Sequence, residues 1–286
     1  MRNIDHQSIT AEVIARFQEC TEPRLKYLLS ELVQSLHDYA RKVALTEQEL
    51  MAAIGFLTAT GQKCDDKRQE FILLSDVLGL SMLAVALNNK FPPPATEATV
   101  FGPFYVQGAP VYPLGANIVQ GAPGEPLYVT ATVTDLAGEP IANALVNTWQ
   151  ADSDGLYDVQ RPGQPLQARG ALRTDGQGRL YFKSIVPVPY PVPTDGPVGD
   201  ILRASGRHPW RPAHIHFMIE APGFRTLVTH IFRDGDPYLD SDVVFGVRSS
   251  LVAAMPYHPA DEPPPFGPAA EQAFRTLDIS FRLTSQ

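Results

Sequence analysis

Arg207-His208-Pro209-Trp210-Arg211-Pro212-Ala213-His214-Ile215-His216-Phe217 runs into an apolar stretch, His214 to Ile219, that reads as a β-strand. Side chains on a strand alternate between its two faces. His214 and His216 therefore point one way and Ile215 the other. Two imidazoles fixed on one face of a rigid strand are a natural pair of metal ligands. The bland reading of such a pair is two polar residues on a wet face. The neighbours argue against it. Pro209 and Pro212 stiffen the approach, Arg207 and Arg211 bring fixed positive charge, and the adjacent aromatics suggest a lined cavity.

Proline usage divides the chain outward from this strand. Of the 27 prolines among 286 residues, only Pro23 lies before residue 92. Helices accept proline only near their start, whereas loops and strand ends tolerate it. Residues 1–95 are accordingly expected to be helical and residues 96–286 to be mainly β. Ile9, Val13, Ile14 and Phe17 recur at helical spacing, and Leu25, Leu28, Leu29, Leu32, Val33 and Leu36 form a second stripe. Thr21 caps that helix with Pro23 early in it. Thr46-Glu47-Gln48-Glu49 is a capping box for a third helix. A fourth is expected from about Lys67 to Leu87, apolar on nearly every side and so in need of cover.

After Phe91-Pro92-Pro93-Pro94 and the aromatic loop Val100-Phe101-Gly102-Pro103-Phe104-Tyr105, the period becomes two. Leu127, Val129, Ala131 and Val133 alternate with polar or aromatic neighbours. Ala144 to Gln150 reads as another strand. Asp175-Gly176-Gln177-Gly178 between Gly170–Thr174 and Leu180–Ile185 predicts a hairpin. Val186-Pro187-Val188-Pro189-Tyr190-Pro191-Val192-Pro193 is a stiff extended loop displaying Tyr190. His230 lies on the strand after the two histidines. Whether it shares their face depends on a register that a one-residue slip would invert. Asp240-Ser241-Asp242 is expected to cap a partly helical stretch, and Leu277 to Leu283 closes the fold. Short strands between turn signals indicate an antiparallel β-sandwich.

The net charge of −8 argues against nucleic acid or an anionic membrane as partner. No apolar run reaches the roughly 18 residues of a membrane span. Cys20 and Cys64 lack metal-ligand spacing, and with no signal pattern at the start the expected location is cytoplasmic.

Two histidines rarely complete a metal site. Zinc would want cysteine, a third histidine or a carboxylate, and a non-haem ferrous oxygenase would want a carboxylate. No carboxylate is set at a telling spacing; Asp200 and Asp234 have turn roles. The β region does offer tyrosine on stiff loops: Tyr157 after Asp154-Gly155, and Tyr190. A free phenol titrates near roughly pH 10, but a trivalent cation can displace its proton. Phenolate is a hard donor suited to ferric iron.

Gly155-Leu156-Tyr157, Tyr190 in its proline-rich loop, and Arg211-Pro212-Ala213-His214-Ile215-His216 resemble the intradiol ring-cleaving dioxygenases. The helical section followed by a β-sandwich is similar to their catechol and hydroxyquinol branch. The resemblance implies one Fe(III) per subunit, held by Tyr157, Tyr190, His214 and His216. It implies that an ortho-diphenol displaces the Tyr190 phenolate and that O2 then opens the ring. Arg211 matches the arginine that stabilises charge on the ring. Thr229-His230-Ile231-Phe232, where catechol enzymes commonly carry glutamine, resembles the hydroxyquinol 1,2-dioxygenases, and His230 is a candidate catalytic group.

By the same resemblance the substrate pocket draws on Leu73, Asp76, Val100, Phe101, Gly102, Pro103, Phe104, Val192, Pro193 and Val244. Asp76, a carboxylate in an apolar helix, is costly to bury unpaired and is expected to meet the extra hydroxyl of benzene-1,2,4-triol. The family further implies a homodimer through the helical section and a lipid at its interface. Two other readings stand beside hydroxyquinol cleavage: the same chemistry on catechol or a chlorocatechol, and a non-catalytic β-sandwich binding module with structural histidines.

Overall fold

The structure is a computed structural model describing residues 3–65, 68–161, 163 and 165–286. Its helices are α1 (Ile9–Arg16), α2 (Pro23–Lys42), α3 (Glu47–Gln62), α4 (Glu70–Val77), α5 (Leu80–Asn88) and α6 (Pro197–Ala204). Its strands are β1 (Pro126–Thr134), β2 (Leu145–Trp149), β3 (Arg169–Arg173), β4 (Arg179–Ile185), β5 (Tyr190–Pro191), β6 (Trp210–Arg211), β7 (His214–Glu220), β8 (Leu227–Arg233), β9 (Val252–Ala253), β10 (Tyr257–His258) and β11 (Phe274–Arg282). The chain packs as two compact units, residues 1–59 and 60–286. The expected division at residue 95 follows the change of element type; by packing, α4 and α5 go with the β region.

In the first unit, α1 packs on α2, and Thr10 meets the His37 ring at 2.9 Å. Pro23 opens α2 with Glu22, not Thr21, as the flanking cap residue. The capping box at α3 forms as read: Thr46 N–H donates to Glu49 Oε2 at 2.9 Å and Glu49 N–H to Thr46 Oγ1 at 3.2 Å. One face of α2 stays open, with Leu25, Leu28, Leu32 and Leu36 all about half exposed.

In the second unit, the single long helix expected to start near Lys67 is two short ones; Lys67 itself lies outside the described residues. Gly79 stops α4 by adopting a left-handed φ of +75°, which costs glycine nothing, and α5 leaves at 75°. No single helix among the described residues is long and apolar enough to cross a membrane.

The sandwich consists of one sheet in the order β10-β11-β1-β4 and another in the order β3-β2-β7-β8-β9, with β5-β6 as a separate ribbon. Most pairs are antiparallel, but β1–β11 and β8–β9 are parallel. Leu127, Val129 and Val133 of β1, Phe182 of β4, and Ile215, Phe217 and Ile219 of β7 fill the core between the sheets. Each such side chain contributes roughly 1.5–3 kcal/mol on burial. The hairpin expected at Asp175–Gly178 is a correction. The turn closes as read, with Gly178 N–H donating to the Asp175 carbonyl at 3.0 Å. Its arms then part, β3 to pair with β2 and β4 with β1. A turn signal fixes the reversal, not which sheet each arm joins. The stretch after Asp240 is also not helical; it is a series of turns before a 3₁₀ turn at Ser249–Leu251.

Candidate metal centre

Parity along β7 builds the site. Ile215, Phe217 and Ile219 enter the core, so His214 and His216 occupy the opposite face with Met218. The open register is resolved: His216 lies directly across from His230 on β8, and their ring centres are 4.1 Å apart. On the other side His216 pairs with Trp149 of β2, whose indole stacks on it at 4.6 Å and 15°.

The tyrosines reach this face from two tight segments. Tyr190 on β5 pairs with Arg211 on β6, and Val192 N–H donates to the Pro209 carbonyl at 2.9 Å. The proline ladder thus becomes a short pinned strand. Tyr157 arrives through a turn organised by Asp152, whose Oδ1 accepts from Asp154 N–H and Leu156 N–H at 2.9 and 3.1 Å. Gly155 in that turn has a φ of +78°, and a Cβ there would lie 3.0 Å from Cβ of Tyr190. Glycine lets the two tyrosine-bearing segments touch.

Four donor atoms converge. Tyr157 Oη lies 2.9 Å from His216 Nε2 and 3.2 Å from Tyr190 Oη. His214 Nε2 lies 3.2 Å from His216 Nε2. A metal bound by imidazole at about 2.0–2.1 Å leaves neighbouring ligand atoms roughly 3 Å apart, which these separations match. His230 also belongs to the histidine cluster, but that set is looser, its ligand atoms lying within 4.8 Å of one another. Among the described residues neither ring nitrogen of His230 has a well-formed hydrogen bond. Burial first, then the neighbouring His216 and His214, holds its protonation well below the usual range, with only the Val100 backbone opposing.

Protonation fits a cation. His214 Nδ1 is 2.7 Å from the Pro212 carbonyl. A carbonyl only accepts, so Nδ1 carries the proton and Nε2 presents a bare lone pair to the centre. Burial, then the Arg211 charge, pushes His214 down to about 3. Burial, then His214, holds His216 well below its usual range. Burial first, then the Tyr190 neighbour, raises the Tyr157 phenol well above 10, with Arg211 and Arg169 opposing. Buried lone pairs face to face are costly, and a cation between them removes the conflict.

Arg211 is divided between two tasks. Its Nε and Nη2 donate to Asp242 at 3.1 and 3.3 Å. Its Nη1 turns inward, 3.3 Å from His214 Nε2 and 3.5 Å from Tyr190 Oη. Burial opposes its charge, but Asp242 more than compensates and keeps it protonated.

A cavity of about 240 Å³ opens beside Tyr190 and Arg211, room for one substituted ring. Leu73, Asp76, Gly102, Pro103, Phe104, Val192, Pro193 and Val244 line it. Val100 and Phe101 do not: Val100 packs behind the wall with Leu73 and Val192, and Phe101 faces Tyr105 and Trp149. Sequence reasoning missed Arg68, Gln69, Glu70, Val159 and Gln160, which also line it, and Asp242 as the anchor of Arg211. Asp242 had a signal, an acidic turn two residues before Val244. The charged residues at the start of α4 had none.

Comparisons with known proteins show the family. A family model described as "Dioxygenase" matches residues 100–283, and one described as "Catechol dioxygenase N terminus" matches residues 22–96. The chain is 59% identical to 6-chlorohydroxyquinol 1,2-dioxygenase of Cupriavidus pinatubonensis, over 88% of this chain and 92% of that protein. It is 50% identical to hydroxyquinol 1,2-dioxygenase of Nocardioides simplex, over 91% of this chain and 89% of that protein. The crystal structure of hydroxyquinol 1,2-dioxygenase from Pseudomonas putida DLL-E4 superposes with a TM-score of 0.91 at 45% identity, covering 98% of this chain and 99% of that one.

Proposed function

The chain belongs to the intradiol ring-cleavage dioxygenases, and on that premise we propose that it cleaves hydroxyquinol, or a chloro-substituted form of it, with O2. The product is 3-hydroxy-cis,cis-muconate and its keto form maleylacetate. One Fe(III) per subunit is held by Tyr157, Tyr190, His214 and His216. The observation that carries this reading is the approach of two phenol oxygens and two imidazole nitrogens to about 3 Å of one another on a buried face. Iron held there would supply Lewis acidity, favouring the deprotonated diol whose electron-rich ring reacts with O2.

The residues divide the remaining work. Tyr157 is fully buried, whereas Tyr190 borders the cavity. An incoming diol therefore reaches Tyr190, whose Oη takes up one of its protons. Arg211 directs Nη1 at the same place and stabilises negative charge on the ring. His230 packs against both ligand histidines, its ring 4.7 Å from that of His214 and 4.1 Å from that of His216, and is placed to pass a proton. Asp76 lines the cavity and receives the hydroxyl that distinguishes the triol from catechol. The names of the relatives support the triol. Iron analysis, the visible spectrum and a comparison of hydroxyquinol with catechol turnover test the reading. Tyrosinate-to-iron charge transfer should colour the protein red-brown, and hydroxyquinol should show the higher kcat/KM. A protein that stays colourless and inactive after iron loading is a binding module instead.

We also propose that residues 1–95 form a helical dimerisation and linker section and residues 96–286 the catalytic β-sandwich, with α4 of the linker lending Leu73 and Asp76 to the cavity wall. The open apolar face of α2 supports a homodimer, with a lipid filling what the protein leaves uncovered. The free cysteines Cys20 and Cys64 suit a reducing cytoplasm.

A further inference from the structure

We infer that Arg169 is a positioning residue of the reaction, holding the Tyr157 ligand and the Phe104 wall of the cavity as one body through a buried ion pair with Asp158. The inference rests on the reading of the site as a ferric centre. The side chains of Arg169 and Asp158 are 2% and 1% exposed. Arg169 Nε donates to Asp158 Oδ2 at 2.6 Å, and Nη2 donates to Oδ1. The remaining arm, Nη1, donates to the Phe104 carbonyl at 3.0 Å. Asp158 is fully used: its oxygens also accept from Val159 N–H at 2.9 Å and Gln167 N–H at 3.0 Å.

Each contact leads to the centre by a short path. Asp158 follows Tyr157 directly in the chain. The Phe104 ring stacks on the Tyr157 ring at 4.4 Å and 22° and lines the cavity. Trp149, the cross-strand partner of Arg169, stacks on His216. The Arg169 guanidinium thus ties the residue that follows one ligand to the residue whose ring covers that ligand, and its backbone pairs with the strand supporting a second ligand.

Stability does not account for the pair. Removing two charges from water is poorly repaid, and an apolar pair of similar volume is often as stable or more so. An apolar pair could not hold the Phe104 carbonyl and the Asp158 carboxylate in one plane, which a planar fork of five donors does. Lysine cannot either, because its ammonium is a single point.

Arg169→Lys keeps Asp158 paired and loses the fork. The double variant Arg169→Met with Asp158→Leu leaves no unpaired charge. Iron-loaded wild type and variants are compared by their charge-transfer band, by iron retention against a chelator, and by kcat and KM for hydroxyquinol. Arg169→Lys should raise KM about tenfold and displace the band, and the double variant should do both more strongly and lose iron sooner. Either variant keeping the wild-type band and KM, with only a lower melting temperature, overturns the inference. Arg169→Lys decides alone if the double variant does not fold. An uncoloured wild type rejects the ferric reading itself, before any variant is compared.

Discussion

Asp242 and Asp76 both feel the charge of Arg211, yet the fold moves their proton affinities in opposite directions. Burial raises Asp242, but the Arg211 guanidinium outweighs it and the carboxyl lies below 3.8. Its contribution to stability is therefore complete above about pH 4 and fades as pH falls through the lowered folded value. Asp242→Asn should cost about 3–5 kcal/mol at pH 7, since it strands a buried guanidinium. The gap in melting temperature from wild type should close progressively below pH 3.8. It should also lower kcat about tenfold or more by freeing the inward arm of Arg211. Gly246 shows how tightly that arrangement is built: a Cβ there would lie 3.0 Å from Arg211 Nη2 and 3.1 Å from Asp242 Oδ2. Asp76 runs the other way. Burial dominates and raises its carboxyl, against the Ser81 hydroxyl and Arg211. A raised carboxyl loses folded-state stability as pH climbs from 3.8 to the folded value, and the loss persists above it. Asp76→Asn should melt higher than wild type at pH 7, match it below pH 3.8, and show a smaller hydroxyquinol-to-catechol ratio of kcat/KM. An unchanged ratio would remove Asp76 from substrate choice.

Elements explain what the sequence did and did not disclose. The face shared by His214 and His216 was legible because strand parity needs only the apolar run around them. The place of His230 was not, because register depends on pairing with another strand. The Asp175–Gly178 turn was legible as a reversal, but the separation of its arms into two sheets is a tertiary outcome. The break at Gly79 was masked by apolar residues on both sides, whose pattern continues through it. Arg169 had no legible signal, since nothing local distinguishes a buried arginine on a strand from an edge one. The turn at Asp152–Tyr157 is the element that joins the two kinds of information. Its residues announce a turn, and only the fold reveals that Gly155 presses on Tyr190. Gly155→Ala should cost about 1–2 kcal/mol for the left-handed backbone. It should also push Tyr190 outward, which a displaced charge-transfer band in the iron-loaded protein would report. Loss of stability with an unmoved band would mean that the turn yields and the tyrosines do not.

At the scale of the whole molecule, the two units carry different kinds of surface. All four donor atoms, Arg211 and the cavity belong to residues 60–286. The open apolar stripe Leu25, Leu28, Leu32 and Leu36 belongs to residues 1–59. Those four leucines fall on one face of α2, at the spacing of a helix that expects a partner. With each about half exposed, the face is larger than scattered surface residues would make it. Its burial against a second copy should yield a dimer whose disruption is separable from the chemistry. Leu32→Glu combined with Leu36→Glu places two carboxylates on the stripe, where desolvating them would oppose association strongly. Light scattering should then show the mass of a single chain in place of two. Iron content, colour and kcat for hydroxyquinol should stay near wild type, because no residue assigned to the centre lies on α2. A variant that remains dimeric would move the interface elsewhere. A monomer that has lost its colour would show that association holds the centre together, and the separation of tasks between the two units would not stand.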